Sequence, residues 1–589
     1  MDLKLAPHAR IERYQAAGHW GDGGLHEFLA RNAANAPDAA ALLDPDDREA
    51  FAPGPAVAMT YADTWFAVDR LGKIFQEMGL QKGDLIAIQL PQIVEAPIAI
   101  LAAARAGLMI CLLPPYWLRH EMIAALKCVA PRAVLSWSES AAPTKDGGGQ
   151  TRLEALRDVA IALPSLRFLL AIGTDVPDGI VPLGNFAFDA QRHRQKHPDD
   201  LAGTSAKEAS TPSDADTLVA ITWPTSIGGQ YLAKARSHNE FKATGLEIAE
   251  KANIEDGANI LCPYPLTSFA ALGTFLAPWV LSGGCLVLQR AFDITRFVDT
   301  LSQGEFGFTA IPSNIEQKIV SALQQSPDPI NLQTLGVIRD LRTSSARLLA
   351  PDLSATKIVD ILNLSDLALS ANIRTGSGQI SLAAIRRSRT SQSLAPMLET
   401  HLAPTRPDAP PGVAELFIRS PMTPSATVGG EGGAFSPLVE ADGFVSSGLF
   451  ARKSKKQFIP IAPTSSDKVS FGNLSIQLAD LKSLYGAWEH ATNVEIYLAR
   501  DQIMGQRIAL IIQTDDSAKA TVDGFLHYLK TKGLSEQLVP DKIDLKIIQG
   551  SQTGTKPLSP ATSPRPAETE TETETETTSS PSEKIAKAV

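Results

Sequence analysis

Apolar residues recur along the chain at two spacings, and the alternation between them predicts the order of elements. From Thr60 to Gly79, Val68, Leu71, Phe75 and Met78 fall at helical spacing, with Thr60 or Asp63 to cap the start and Gly79 to end it. After the turn Lys82-Gly83-Asp84, Leu85 to Leu90 is a short apolar strand closed by Pro91. A helix from Val94 to Ala106, a strand from Leu108 to Leu113, a helix from Arg119 to Val129 and a strand from Ala133 to Leu135 follow. Strand, helix, strand, helix, strand predicts a parallel sheet covered by helices.

The alternation resumes with a strand at Thr217 to Trp223, a helix at His238 to Ala252, and strands at Ile260 to Cys262 and Cys285 to Leu288. Leu272 to Leu288 is the longest apolar run, but Pro278 and Ser282-Gly283-Gly284 break it into a buried helix, a turn and a strand, too short to cross a membrane. Ser138 to Gln150 and Phe186 to Asp216 read as surface loops. Val413, Leu416 and Ile418 mark a half-buried strand in Gly412 to Ser420, and Thr423 to Phe435, rich in Gly, Ser and Thr, reads as mobile. The pattern resets near Asp467, with helices at Leu474 to Tyr485 and Val522 to Lys532 and strands at Val494 to Leu498 and Ile508 to Gln513. The expectation is an α/β protein: a large lobe of parallel sheets flanked by helices at 1–466, a small α+β lobe at 467–556, and a tail at 557–589. The tail alternates Glu and Thr from Glu568 to Thr577, so pairing as a strand would stack like charges on one face; disorder is expected.

Composition narrows the function. Lys and Arg number 54 against 64 Asp and Glu, so the net charge of −10 offers no general field for nucleic acid or an anionic membrane. Cys111, Cys128, Cys262 and Cys285 form no CxxC pair and sit among apolar residues, as buried thiols of a reducing compartment do. The first fourteen residues carry Asp2, Arg10, Glu12 and Arg13 without an apolar core, unlike a signal peptide. A cytoplasmic protein is expected. His120-Glu121 lacks a second histidine at the zinc spacing, and the P-loop, dinucleotide and nucleophile-elbow motifs are missing in suitable context.

Several segments, in this order, resemble the adenylate-forming superfamily of acyl-CoA synthetases, luciferases and peptide-synthetase adenylation domains. They are Met59-Thr60-Tyr61-Ala62, Gly79 to Asp84, Ile86 to Pro91, Leu101 to Gly107, Arg236-Ser237-His238-Asn239, Gly412 to Pro421 and Asp501 to Arg507. The resemblance spans about residues 20 to 556. It implies that a carboxylate attacks ATP with Mg²⁺ to give an acyl-adenylate, after which the small domain rotates and coenzyme A takes the acyl group. It also implies where the parts lie. Counting back from His238 places the phosphate loop at Pro224 to Leu232, where Thr225, Ser226, Gly228 and Gly229 are candidate nucleotide contacts. Leu232 stands at the lysine position of that loop, and Lys234 is two residues further on. Ser365 and Asp366 match the hydroxyl and the magnesium carboxylate of the adenine motif, but Leu362 replaces its aromatic residue. Leu449 stands where a ribose-binding aspartate is expected. Asp467 matches the hinge, Thr464 the lost hinge arginine, and Lys556 the catalytic lysine of the small domain.

Plainer readings stand beside these. His238 can be a structural histidine at a helix start, Ser365 and Asp366 can cap a helix beginning near Leu367, and Asp467 and Lys556 can be solvated charges. The departures concentrate on nucleotide positions while the scaffold segments stay readable. Two functions follow: an acyl-CoA synthetase-like protein that is impaired or non-catalytic, with a binding or regulatory role, or a divergent active ligase using ATP, Mg²⁺ and CoA. The expected partner is a small carboxylic acid or acyl-CoA, with the acidic tail as a surface for a protein partner.

Overall fold

A computed structural model describes residues 3–547 except 139–150, 198–213, 224–232, 291–292, 342–346, 349–352, 354, 384, 387–394, 404–411, 430–432, 440–441, 456, 462–467, 472–473, 502–504 and 516–519. Residues up to Ile547 pack as one compact unit. Among the described residues two large sheets dominate. The nine-stranded sheet runs Ala434–Pro437, Ala426–Gly429, Ala233–Ser237, Leu218–Thr222, Met109–Leu112, Leu85–Ile88, Ala133–Trp137, Phe168–Ile172, Val181–Pro182, and is parallel from Leu218–Thr222 onward. The eight-stranded sheet has a parallel centre, with antiparallel strands at its two edges, Ala368–Ile373 and Ala58–Thr60. A six-stranded antiparallel sheet contains Ala414–Arg419 and Val445–Ser454.

The predicted helices form where the caps and periodicity place them. The helix Tyr61–Glu77 starts with a reciprocal cap in which the Thr60 hydroxyl accepts from the Asp63 amide, an arrangement that contributes about 1 kcal/mol. Glu95–Arg105, Arg119–Val129, His238–Ala252 and Val522–Lys532 follow the sequence closely. The apolar run 272–288 is a π-helical turn Leu272–Leu276, a helix Ala277–Ser282 and a strand Leu286–Leu288. All four cysteines are buried and free. No described helix is long and apolar enough to cross a membrane.

Four expectations need correction. Residues 186–196 are a helix rather than a loop, because Ala187 and Ala190 pack inward and Arg194 pairs with Asp63 of the neighbouring helix at 2.9 Å. Thr423 to Phe435 contains a strand, Ala426–Gly429, which pairs with Ala233–Ser237 and turns back into Ala434–Pro437; Ala426 and Val428 are fully buried, so the register is held by packing that a Gly-rich composition conceals. The helix expected from Leu474 begins at Leu478, after a strand Leu474–Gln477. Leu367 begins no helix: Leu364 pairs with Ala368 in an antiparallel hairpin, so the capping reading of Ser365 and Asp366 fails.

The C-terminal part of the unit has a three-stranded sheet, Asn493–Asp501, Gly505–Thr514 and Lys542–Ile547. It meets the helix Arg119–Val129 through the segment after Lys532. The His120 amide donates to the Gly533 carbonyl at 3.0 Å, and the fully buried Glu121 carboxylate accepts from the Ser535 amide at 2.8 Å. Asp467, Thr464, Lys556 and the Glu-Thr tail lie outside the described residues.

Candidate active site

In parallel α/β sheets ligands bind beyond the carboxyl ends of the strands. Here the carboxyl end of Leu218–Thr222 leads into 224–232, and the chain returns as the antiparallel strand Ala233–Ser237. The phosphate-loop candidates Thr225, Ser226, Gly228, Gly229 and Leu232 lie in the undescribed stretch between them. The returning strand is described, and its period of two puts Lys234 and Arg236 on one face.

That face meets the hairpin of the other large sheet. Lys234 Nζ donates to the Ser365 carbonyl at 2.5 Å, and Arg236 Nη2 donates to the Asp366 carbonyl. Arg236 also donates to Thr222 Oγ1 at 3.2 Å and to the Met422 carbonyl at 3.4 Å, and its guanidinium carbon lies 3.6 Å from the Phe269 ring centre. It is fully buried, and its bonded acceptors are uncharged. Burial lowers its pKa to about 10, partly offset by the nearby charges of Glu240 and Asp366. Glu240 itself bonds Arg10 at 2.9 Å and Ser425 Oγ at 2.6 Å; burial raises its pKa against the pull of Arg10.

The hairpin tip is strained. Ser365 and Asp366 both have left-handed backbones, with φ of 54° and 55°. Such residues cost about 1–3 kcal/mol each and persist where surroundings over-determine them. Asn363 supplies part of that restraint: its side chain donates to Asp366 Oδ1 at 2.9 Å and accepts from the Asp366 amide at 2.8 Å. The structure therefore brings Ser365, Asp366 and the strand Ala233–Ser237 together.

It does not bring His238 to them. His238 is the first residue of its helix, after the cap Ser237, and turns toward the helix Leu25–Asn35. Its Nδ1 accepts from the Leu25 amide at 3.2 Å, and its ring stands 5.9 Å from that of His26. Burial, then the neighbouring His26, push its pKa down to about 3, so the ring is neutral at ordinary pH. The two leucines that the resemblance placed at nucleotide positions are core residues. Leu449 is fully buried opposite Leu416, beside a bulge in which Ser447 Oγ bonds the Leu416 carbonyl at 2.5 Å. Leu362 is equally buried between Arg339 and Ser370 of adjacent strands.

Sequence reading missed the roles of Arg236, Asn363 and Arg10. The alternation of Lys234 and Arg236 was the available signal; their partner lies about 130 residues away in sequence and leaves no local mark. A second missed cluster is the buried group Arg339, Arg374, Glu316 and Asp360, in which Arg339 Nε bonds Asp360 at 2.8 Å and Arg374 Nε bonds it at 2.9 Å. It ties the strands Leu332–Asp340 and Lys357–Leu364 and the end of Ala368–Ile373 to the start of the helix Glu316–Gln325.

Two large sheets with parallel centres meet where Lys234 and Arg236 reach the strained turn at Ser365 and Asp366. The AMP-binding enzyme family matches residues 29–359, more than half of the chain, and the chain belongs to that family. It is 22% identical over 552 residues to a salicylyl-CoA synthase / salicylate adenylyltransferase of Streptomyces sp, covering 91% of this chain and 92% of that protein. It is also 22% identical over 572 residues to pyochelin synthase PchD of Pseudomonas aeruginosa, covering 92% of each. Among solved structures, o-succinylbenzoate CoA synthetase (MenE) of Bacillus subtilis overlays with a TM-score of 0.61 at 13% identity, covering 88% of this chain and 94% of that one. MbtA of Mycobacterium smegmatis overlays with a TM-score of 0.55 at 17% identity, covering 92% and 94%. These overlays show the fold.

The described residues fit a nucleotide poorly. Lys234 and Arg236 direct donors at turn carbonyls, the Asp366 carboxylate is tied to Asn363, and Leu362 and Leu449 face packed interior. No group of three or more metal-ligating side chains occurs among the described residues.

Proposed function

We propose that the chain is an adenylate-forming homologue of the acyl- and aryl-CoA synthetase type whose nucleotide step is impaired or lost. It keeps the fold as a binding or regulatory protein for a small carboxylic acid or its acyl-CoA. The observation that carries this reading is the use of Lys234 and Arg236 as ties to the carbonyls of Ser365 and Asp366. Leu449, in the core beside Leu416, offers no acceptor for a ribose hydroxyl. Losing several such contacts on one ligand costs roughly 10⁴-fold or more, at about 3 kcal/mol per transition-state donor and 1–3 kcal/mol per unpaired polar group. In this reading 1–466 is the AMP-binding lobe, 467–556 a lid lobe, and the acidic stretch from 557 a surface for a partner.

The alternative is an active ligase in which Lys556 and His238 take catalytic roles, Asp366 holds Mg²⁺, Asp467 serves the hinge, and Thr225, Ser226, Gly228, Gly229 and Ser365 bind ATP before transfer to CoA. Pyrophosphate release separates the two. With a panel of aliphatic and aromatic acids, salicylate and o-succinylbenzoate included, full-length protein is expected to release pyrophosphate slowly or not at all. Turnover near ~1–10 s⁻¹ with any acid, ordinary for enzymes, would overturn the impaired reading.

A further inference from the structure

We propose that His193 and His197 form a two-histidine site for a borderline divalent transition-metal ion. The site lies at the carboxyl end of the helix Phe186–Lys196, which carries none of the candidate nucleotide residues. His193 lies in the last turn and His197 is the residue just past the helix end, no longer helical at φ −133° and ψ 68°, so the capping bond, and not helical spacing alone, sets the two imidazoles side by side. The backbone already holds that spacing, since the His197 amide donates to the His193 carbonyl at 2.9 Å.

The rings are spaced for a chelate. Their centroids lie 4.8 Å apart at an interplanar angle of 38°. Two imidazoles bound at ~2.0–2.1 Å to one ion, at ligand angles from ~90° to tetrahedral, put their centroids roughly 4.5–5.2 Å apart. The terminal ring torsion is broad and two-fold, so a nitrogen can turn inward without moving the backbone. The platform is firm. The His193 ring stacks on Phe66 at 5.4 Å and 11°, Ala187 and Ala190 are buried, and Arg194 is held by Asp63 at 2.9 Å. His197 is exposed and His193 half-buried, so an ion and its waters can enter.

Charge decides which ion fits. The carboxyl end of the helix favours a cation, but Arg192 and Lys196 lie exposed on the same helix. A hard ion held by charge gains little there. An ion held by nitrogen coordination is favoured, which selects Cu²⁺, Ni²⁺ and Zn²⁺ over Mg²⁺ and Ca²⁺.

The test is calorimetry on the full-length chain with each metal alone in a non-chelating buffer, repeated with His193→Gln, His197→Gln and the double variant. One site per chain is expected that disappears in the double variant, with Cu²⁺ bound tightest and each single variant weakening it at least ~10-fold. At ~100 times Kd the ion should raise the folded-to-unfolded ratio ~100-fold, read as an upward shift in thermal midpoint that the double variant lacks. The exposed His197 can be changed without disturbing packing, so the His197→Gln result stands even if His193→Gln unfolds. Metal binding and midpoint shift that are unchanged in His197→Gln, or no binding by the wild type, would overturn the site. Neither result bears on the nucleotide reading, whose readout is pyrophosphate.

Discussion

Lowering the pH should destabilise this protein through the histidine pair between the helices Leu25–Asn35 and His238–Ala252. Burial, then Arg105, push His26 down to about 4 from the ordinary 6.5, and burial, then His26, push His238 down to about 3. Both residues are more than nine-tenths buried, so solvent does little to screen the effect. A folded pKa below the unfolded one means that the native rings refuse protons the unfolded chain accepts. The stability they contribute is whole above pH 6.5 and is lost as pH falls, until His26 titrates near 4 and His238 near 3. At about 1.4 kcal/mol per pH unit, the loss by pH 5 is about 2 kcal/mol for each ring and about 4 kcal/mol for the pair. Urea unfolding between pH 7.5 and 5 measures it, with His238→Asn and His26→Gln variants to separate these rings from acid-titrating carboxylates. The wild type should lose stability more steeply than the double variant, the gap closing by about 4 kcal/mol across the range. Parallel curves for the two proteins would refute the reasoning.

Three further outcomes are expected. Arg236→Met leaves the Asp366, Thr222 and Met422 acceptors without their buried donor and should cost about 3 kcal/mol or more by denaturant unfolding; Arg236→Lys should not rescue it, because a single ammonium cannot reproduce the fork. Leu449→Asp should lower stability by several kcal/mol instead of creating a ribose acceptor, because that side chain is fully buried; a variant that is stable and binds ATP would show the position to be open. Glu121→Ala strips the acceptor from the Ser535 and Leu118 amides and should cost about 2–4 kcal/mol, with earlier proteolytic cleavage after residue 532 than in the wild type.

Local periodicity and punctuation determined most of the scaffold by themselves. The helices at 119–129, 238–252 and 522–532 and the parallel strands between them were legible because caps, glycine stops and apolar spacing act within a few residues. The register of motifs along the chain was enough to reach the family. Tertiary structure decided the rest. Ala426–Gly429 is a strand only because an open edge at Ala233–Ser237 is there to pair with it. Phe186–Lys196 is a helix because Asp63 and a neighbouring helix face take its inner side. The turn at Ser365 and Asp366, read equally well as a cap, is held in its left-handed form by Asn363 and by two cations from another sheet. His238, matched by motif to a catalytic position, packs against Leu25 and His26, more than 200 residues earlier. A side chain's neighbours depend on which distant surfaces burial brings together, and that free energy is not written in the spacing of any one segment.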